Sequence, residues 1–225
     1  VSRKTYLQCI NSVLKLMRRS TVSTNAETSA SVLVSEFVNQ AVQSVEAAHK
    51  WSALLNETNL SLTSGDALYS LLNWQDGGRI EHVRNTTSDF KGEIRRVSAI
   101  GWAALNHDVD NARPSLYRVR QPDSSGDMQV EFHPTPDQAY TVTVYGYVGQ
   151  GSLMSDSTMV CVPANPVILL AVAYAIRERG EDGGTSFIEA DQRAHDALQD
   201  SISLDIMSQS DGLDYGWRLE PGRVA

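Results

Sequence analysis

Residues able to do chemistry are plentiful in this chain, yet their spacing assembles no reaction centre. The five histidines, His49, His82, His107, His133 and His195, are scattered and never pair at the spacing of a zinc site. Cys9 and Cys161 could form one disulfide, but both lie inside apolar patterns, where a free thiol behaves as a small hydrophobe, and both are expected to be reduced core residues. No Gly-x-Ser-x-Gly elbow, phosphate loop with lysine or dinucleotide fingerprint is present, and Gly146-Tyr147-Val148-Gly149-Gln150-Gly151 has its glycines at the wrong spacing. Asp108-Val109-Asp110-Asn111 opens like a calcium loop, but Ala112 and Arg113 stand where an oxygen ligand and the turn glycine belong. Glu178 to Gly184 mixes charges with glycines and reads as a helix cap followed by a solvated loop. No catalytic residue, cofactor site or metal ligand set follows from these patterns.

Two chemical alternatives stay open at this level. A glycoside-cleaving carboxylate pair would be set by separation in space, so none of the 27 acids is marked for it. A carbohydrate-binding module would present Trp74 or Trp102 as an exposed platform on the β-rich part of the chain, whereas core tryptophans would be buried.

The pattern that does point to recognition lies at the C-terminus. Leu213, Tyr215, Trp217 and Leu219 alternate with Asp214, Gly216, Arg218 and Glu220, which places four apolar side chains on one face of an extended segment. The candidate partner-binding residues are therefore Leu213, Tyr215, Trp217, Arg218 and Leu219, with the arginine available for a carboxylate on the partner. The alternative is a tail that folds back on its own helices.

The elements that must carry such an arm alternate in period. Thr5 and Gln8 fit a capping box, and Tyr6, Ile10, Val13, Leu14 and Met17 continue a helix to about Arg19. Thr24 to Glu27 repeats the signature ahead of a long amphipathic helix with Ala30, Val34, Phe37, Val38, Ala41, Val45 and Ala48 on one face. From Asn56 the period shortens: Ile80–Arg84, Glu93–Ile100, Leu116–Arg120, Met128–His133 and Tyr140–Val148 read as strands separated by turns. A third helix starts with Asn165 as cap and Pro166 at its first position, runs apolar to Ile176 and stops at Gly180. A fourth begins at Thr185 or Ser186, carries Ile188, Ala194, Ala197, Leu198, Ser201 and Ile202 on a packing face, and ends near Ser208.

The expected class is α+β: a discontinuous four-helix bundle from residues 1–55 and 159–209, an antiparallel β-rich insertion over 56–158, and an extended tail over 210–225. Each helix pair alone would leave its apolar stripe uncovered. The chain of 225 residues has net charge −8, distributed as +3 over 1–55, −4 over 56–150 and −7 over 151–225. That balance argues against gripping a phosphate backbone, whose affinity scales with lysine and arginine contacts. The cluster Lys15, Arg18, Arg19 is explained by the negative end of the first helix. The longest apolar run, Val167–Ile176, is too short to cross a membrane, and polar residues interrupt any signal-peptide core after Arg3 and Lys4.

Taken in order, several stretches together resemble the head-to-tail adaptors of short-tailed bacteriophages, also called tail tubular protein A or gatekeeper. They are Thr5-Tyr6-Leu7 with Asn11 and Val13-Leu14; Phe37-Val38-Asn39, Ala41, Val45-Glu46 and Trp51 to Leu54; Pro134 and Pro136-Asp137 before Tyr140-Thr141-Val142; and Val162-Pro163 through Tyr174-Ala175 to Glu178-Arg179-Gly180-Glu181-Asp182. The resemblance covers about residues 5 to 205. It implies a helical bundle with an inserted β domain, assembled as a ring of about twelve copies. The implied partners are the portal protein, the tail nozzle protein and tail fibres, with DNA passing through unbound. The implied place is the virion at the head-tail junction, after assembly in the host cytoplasm. The candidate tail residues would then meet the portal.

Overall fold

The computed structural model describes residues 3–74, 78–88, 91–105, 110–178 and 185–210. In chain order its elements are α1 (Tyr6–Leu16), α2 (Ser29–Ala48), β1 (Leu55–Leu62), β2 (Leu68–Ser70), β3 (Arg79–Asn85), β4 (Gly92–Glu93), β5 (Arg95–Arg96), α3 (Ala99–Ala103), β6 (Leu116–Arg120), β7 (Gln129–His133), β8 (Tyr140–Tyr147), α4 (Ala164–Glu178) and α5 (Thr185–Ser210). The class is α+β. The chain divides into two units, Val1–Ala53 with Ser152–Ala225 in one and Leu54–Gly151 in the other.

In the helical unit, α4 is apolar almost all round and packs against α1, α2 and α5. Ala164, Val167, Ala171, Ala173 and Ala175 are essentially inaccessible, so small side chains let its neighbours approach closely. Its first helical residue is Ala164, so Asn165 lies inside the helix and Pro166 sits in the first turn, where the missing N–H costs nothing. At the start of α1 the expected capping box is present: the Thr5 hydroxyl accepts from the Gln8 amide at 3.3 Å and the Thr5 amide donates to Gln8 Oε1 at 3.0 Å.

Two further helix ends differ from expectation, besides the start of α4. α2 is capped by Thr28, whose hydroxyl accepts from Ser31 N, and not by Thr24, because the Glu27 carboxylate turns back to the amide and hydroxyl of Ser23. α1 stops at Leu16, before Arg19, in a Schellman turn. Arg18 adopts φ 57°, its amide donates to Lys15 O at 3.0 Å, and the Arg19 amide donates to Leu14 O at 2.8 Å. This left-handed position ordinarily belongs to glycine, since a Cβ there is strained. Arg18→Gly is therefore expected to raise the stability of the helical unit by about 0.5–1 kcal/mol, read as a higher urea midpoint at unchanged slope.

The β unit is built from two four-stranded sheets, ordered β1-β8-β3-β4 and β2-β7-β6-β5, antiparallel apart from the β5–β6 pair. Residues from both sheets share one core, among them Leu62, Trp74, Val83, Tyr117, Phe132 and Val142. β7 alternates in burial as its sequence predicts, with Val130 and Phe132 inward. β8 breaks the alternation at Thr143, which is buried on the other face because Asn59 Oδ1 accepts its hydroxyl at 2.7 Å and Thr86 lies at 3.3 Å. Burial there is tolerated because the hydroxyl is bonded.

One sequence expectation fails in this unit, and two strands carry no signal of their own in the sequence. Glu93–Ile100 is not one strand: it splits into β4 and β5, and Ser98 caps α3, whose Ile100 is exposed. β1 escaped notice because Asn56, Glu57, Thr58 and Asn59 hide its period, and β8 recruits it as an edge strand over all eight residues. β2 is too short to have a period of its own. Asp76 and Gly77 of the turn expected at Asp76-Gly77-Gly78, and most of the one at 106–111, lie outside the described residues.

Candidate interaction surfaces

Among the described residues, the carboxylates with a displaced pKa, Glu27, Asp123 and Asp205, are held below the ordinary value. Hydrogen bonds from Ser23 do this for Glu27, and bonds from Ser70 and the 125–127 amides for Asp123. A general acid needs displacement the other way. Among the described residues no group of three histidines, cysteines or acids could hold a metal. Cys9 is buried and its thiol is pushed up to about 11 by that burial, whereas Cys161, expected in the core, is only half-buried; the two are not joined in a disulfide.

The two tryptophans required by a carbohydrate platform are buried, Trp74 at 0% and Trp102 at 5% exposure. Trp74 closes the β core and donates to Thr58 Oγ1 at 2.9 Å. Trp102 is taken up by the outer face of the second sheet, with the Arg118 guanidinium 4.5 Å from its ring centre and His133 edge-on at 5.7 Å. Neither ring is available for stacking on a sugar.

The residues that gave the sequence its resemblance turn out to tie loops to helices. Asn11 holds Val22 through both amide atoms, at 2.9 and 2.8 Å, and so fixes the connection between α1 and α2. Asn39 holds Leu153 in the same way and also donates to the Tyr6 hydroxyl, which itself donates to Ser35 O. Trp51 is buried and donates to Val45 O at 2.6 Å. These are positioning contacts, and each requires its side chain's own donor and acceptor geometry.

The last helix, α5, is attached by one face. Among the described side chains of α5 only Ala194 is fully buried, and Phe187, Ala190, Ala197, Leu198, Ser201 and Ile202 are half-buried. Ile188, expected on the packing face, is instead 59% exposed, one position out of step with the Phe187–Ala190–Ala194 row. The far end of α5 is latched by Asp205. Its carboxylate accepts from Ser52 N at 3.2 Å, Ser52 Oγ at 2.6 Å and Gln209 Nε2 at 2.8 Å, and lies 2.9 Å from His49 Nε2. Burial would raise this carboxyl, but the bonds from Ser52 and His49 outweigh it and hold it low.

Because its folded pKa is depressed, Asp205 contributes stability that is present above the unfolded carboxyl value and is lost as pH falls through the folded one. Asp205→Asn should cost about 1–2 kcal/mol near neutrality, after allowance for partial exposure. The difference from wild type should begin to shrink below about pH 4, where the unfolded carboxyl takes up its proton, and vanish only below the depressed folded value, as urea midpoints followed from pH 7 down through pH 3 would show.

Beside the latch lies a cleft of about 270 Å³ lined by Trp51, Cys161, Val162, Pro163, Ser201 and Leu204. The five tail residues singled out by sequence, Leu213, Tyr215, Trp217, Arg218 and Leu219, lie outside the described residues. So do Gly180, the expected end of α4, and most of the charged loop that follows it. No helix among the described residues is long and apolar enough to cross a membrane.

Comparison with known families matches residues 4–223 to the family described as SU10 adaptor protein. No curated protein matches the chain.

Proposed function

From the premise that the chain belongs to the SU10 adaptor protein family, a phage structural adaptor family and not an enzyme class, we propose that copies of it form a ring joining the portal to the tail nozzle. The family match over nearly the whole chain carries this reading. The helices α1, α2, α4 and α5 act in it as a discontinuous four-helix bundle that carries the β unit as an insertion. The ring has about twelve copies, lengthens the DNA channel and helps retain the packaged genome, with tail fibres as a further contact. The tail residues Leu213, Tyr215, Trp217, Arg218 and Leu219 dock on the portal. The protein works in the virion at the head-tail junction and assembles in the host cytoplasm.

Charge supports a conduit. At −8 per subunit, a ring of about twelve would carry roughly a hundred negative charges, and such a wall repels DNA instead of holding it. The same repulsion opposes ring closure in free solution, so the portal acts as the template. Electron micrographs of the protein mixed with its portal test the reading. A ring of added density at one end of the portal is expected, with monomers at micromolar concentration in the protein alone. Portal particles without added density would overturn it.

A further inference from the structure

We infer that the basic corner at the end of α1, with the groove beside it, receives the outer face of α5 from a second copy of this chain, so that copies join head to tail. The inference rests on the ring reading and names the surfaces that would build the ring.

The first 26 residues hold five basic side chains and no acid, and Lys15, Arg18 and Arg19 gather at the end of α1, all exposed. Among the described residues none of these three forms an ion pair. Attraction to the helix end accounts for cations in the last turn. It does not account for an arginine at a left-handed position that glycine would fill at lower cost, and strain of this kind persists where a side chain is wanted.

Apolar surface continues from that corner. Leu16 is 56% and Leu33 41% exposed, and a groove runs between α1, α2 and α4 along Met17, Arg19, Leu33, Val34, Phe37 and Ala175, with Glu178 on its rim. A second depression, against α2 and α4, shares Phe37 and Glu178 with it.

α5 is the complement. It carries five carboxylates against one arginine, and Arg193 is already turned to Glu189 at 3.9 Å. Asp205 belongs to the latch, which leaves Asp191, Asp196 and Asp200 along its length, with Asp191 near His195 and Asp196 accepting from Gln192. Ile188, Leu204, Ile206 and Met207 are each more than half exposed on the same helix. α4 is the principal partner of α5, whereas the groove beside the basic corner is lined by the end of α1, by α2 and by the end of α4, with no residue of α5 in it. Two different patches on one subunit make a heterologous contact, which closes into a ring when its rotation closes. Opposite charge selects the pairing of acidic helix with basic corner over either patch with itself.

The test uses the full chain in sedimentation equilibrium at up to about 1 mM, where a weak contact is populated. R18G/R19S removes the basic corner without straining the fold, and D196K/D200K reverses the acidic face at exposed positions. Each variant should self-associate at least about tenfold more weakly than wild type. An equimolar mixture of the two keeps one intact pair of faces and should give heterodimers of wild-type affinity that grow no further. A mixture that behaves as its separate components, or a wild-type chain that stays monomeric at that concentration, would overturn the inference. Portal-templated rings of unchanged subunit number from R18G/R19S would also overturn it while leaving the ring reading intact. Failure of the wild-type chain to form rings on the portal would remove that reading and leave the solution contact to be judged by the mixing result.

Discussion

Replacing Gly146 with alanine is expected to destabilise the β unit by about 3 kcal/mol or more, which is a large share of what a domain of this size possesses. Gly146 lies in β8 between β1 and β3, opposite Asn56 and Ile80, and its inward side faces the Trp74 ring. An added Cβ would collide with the backbone carbonyl of Arg79 and come within 2.9 Å of two ring atoms of Trp74. Neither obstacle can move cheaply. The carbonyl belongs to a paired strand, and the indole is fully buried and tethered to Thr58. Tryptophan fluorescence against urea should show a lower midpoint. Gly92→Ala, where an added Cβ meets nothing within 4 Å, should stay within about 0.5 kcal/mol of wild type. A near-neutral Gly146→Ala would mean that β8 has room to shift. Trp74→Leu should restore only part of the loss, because the clash with Arg79 would persist.

Deleting residues 211–225 is expected to abolish attachment to the portal while leaving the melting temperature of the subunit unchanged. Four large side chains on one face of an extended arm would contribute on the order of 6 to 10 kcal/mol gross on burial, enough to offset much of the cost of ordering the arm. Trp217→Ala alone should weaken attachment by about thirtyfold, the effect of losing one aromatic anchor. The competing outcome is physically specific. The cleft lined by Val162, Pro163 and Leu204 lies close to Ser208, and a tail that turned back into it would stabilise its own subunit. In that case deletion would lower the melting temperature and leave portal binding in place, and the docking arm would have to be abandoned. Surface plasmon resonance on immobilised portal, run beside calorimetry of the free subunit, separates the two.

How far the chain could be read before folding depended on whether the governing interactions were local. Thr5 and Gln8 satisfy each other within one turn, so the cap of α1 was legible from spacing. The apolar surface of α4 and the regular alternation of β7 declared themselves for the same reason. Thr24 carried an equally good signature and was wrong, because Glu27 had a closer partner in Ser23 and Thr28 offered the backbone a second cap. Local rules rank such options only when one is clearly better.

The sequence alone determined the α+β class, the order of most elements and the acidic balance, all properties of composition and short-range pattern. Tertiary structure decided the rest. β1 exists as a strand because β8 pairs with it, although its polar residues gave it no period. Trp102 could have been a platform by sequence; the Arg118 and His133 side chains brought beside it by the second sheet made it core. Asp205 became a latch only when α5 returned to Ser52 across more than 150 residues of chain. Contacts between distant segments cost loop-closure entropy and are repaid jointly by many partners, so no single residue announces them in the sequence.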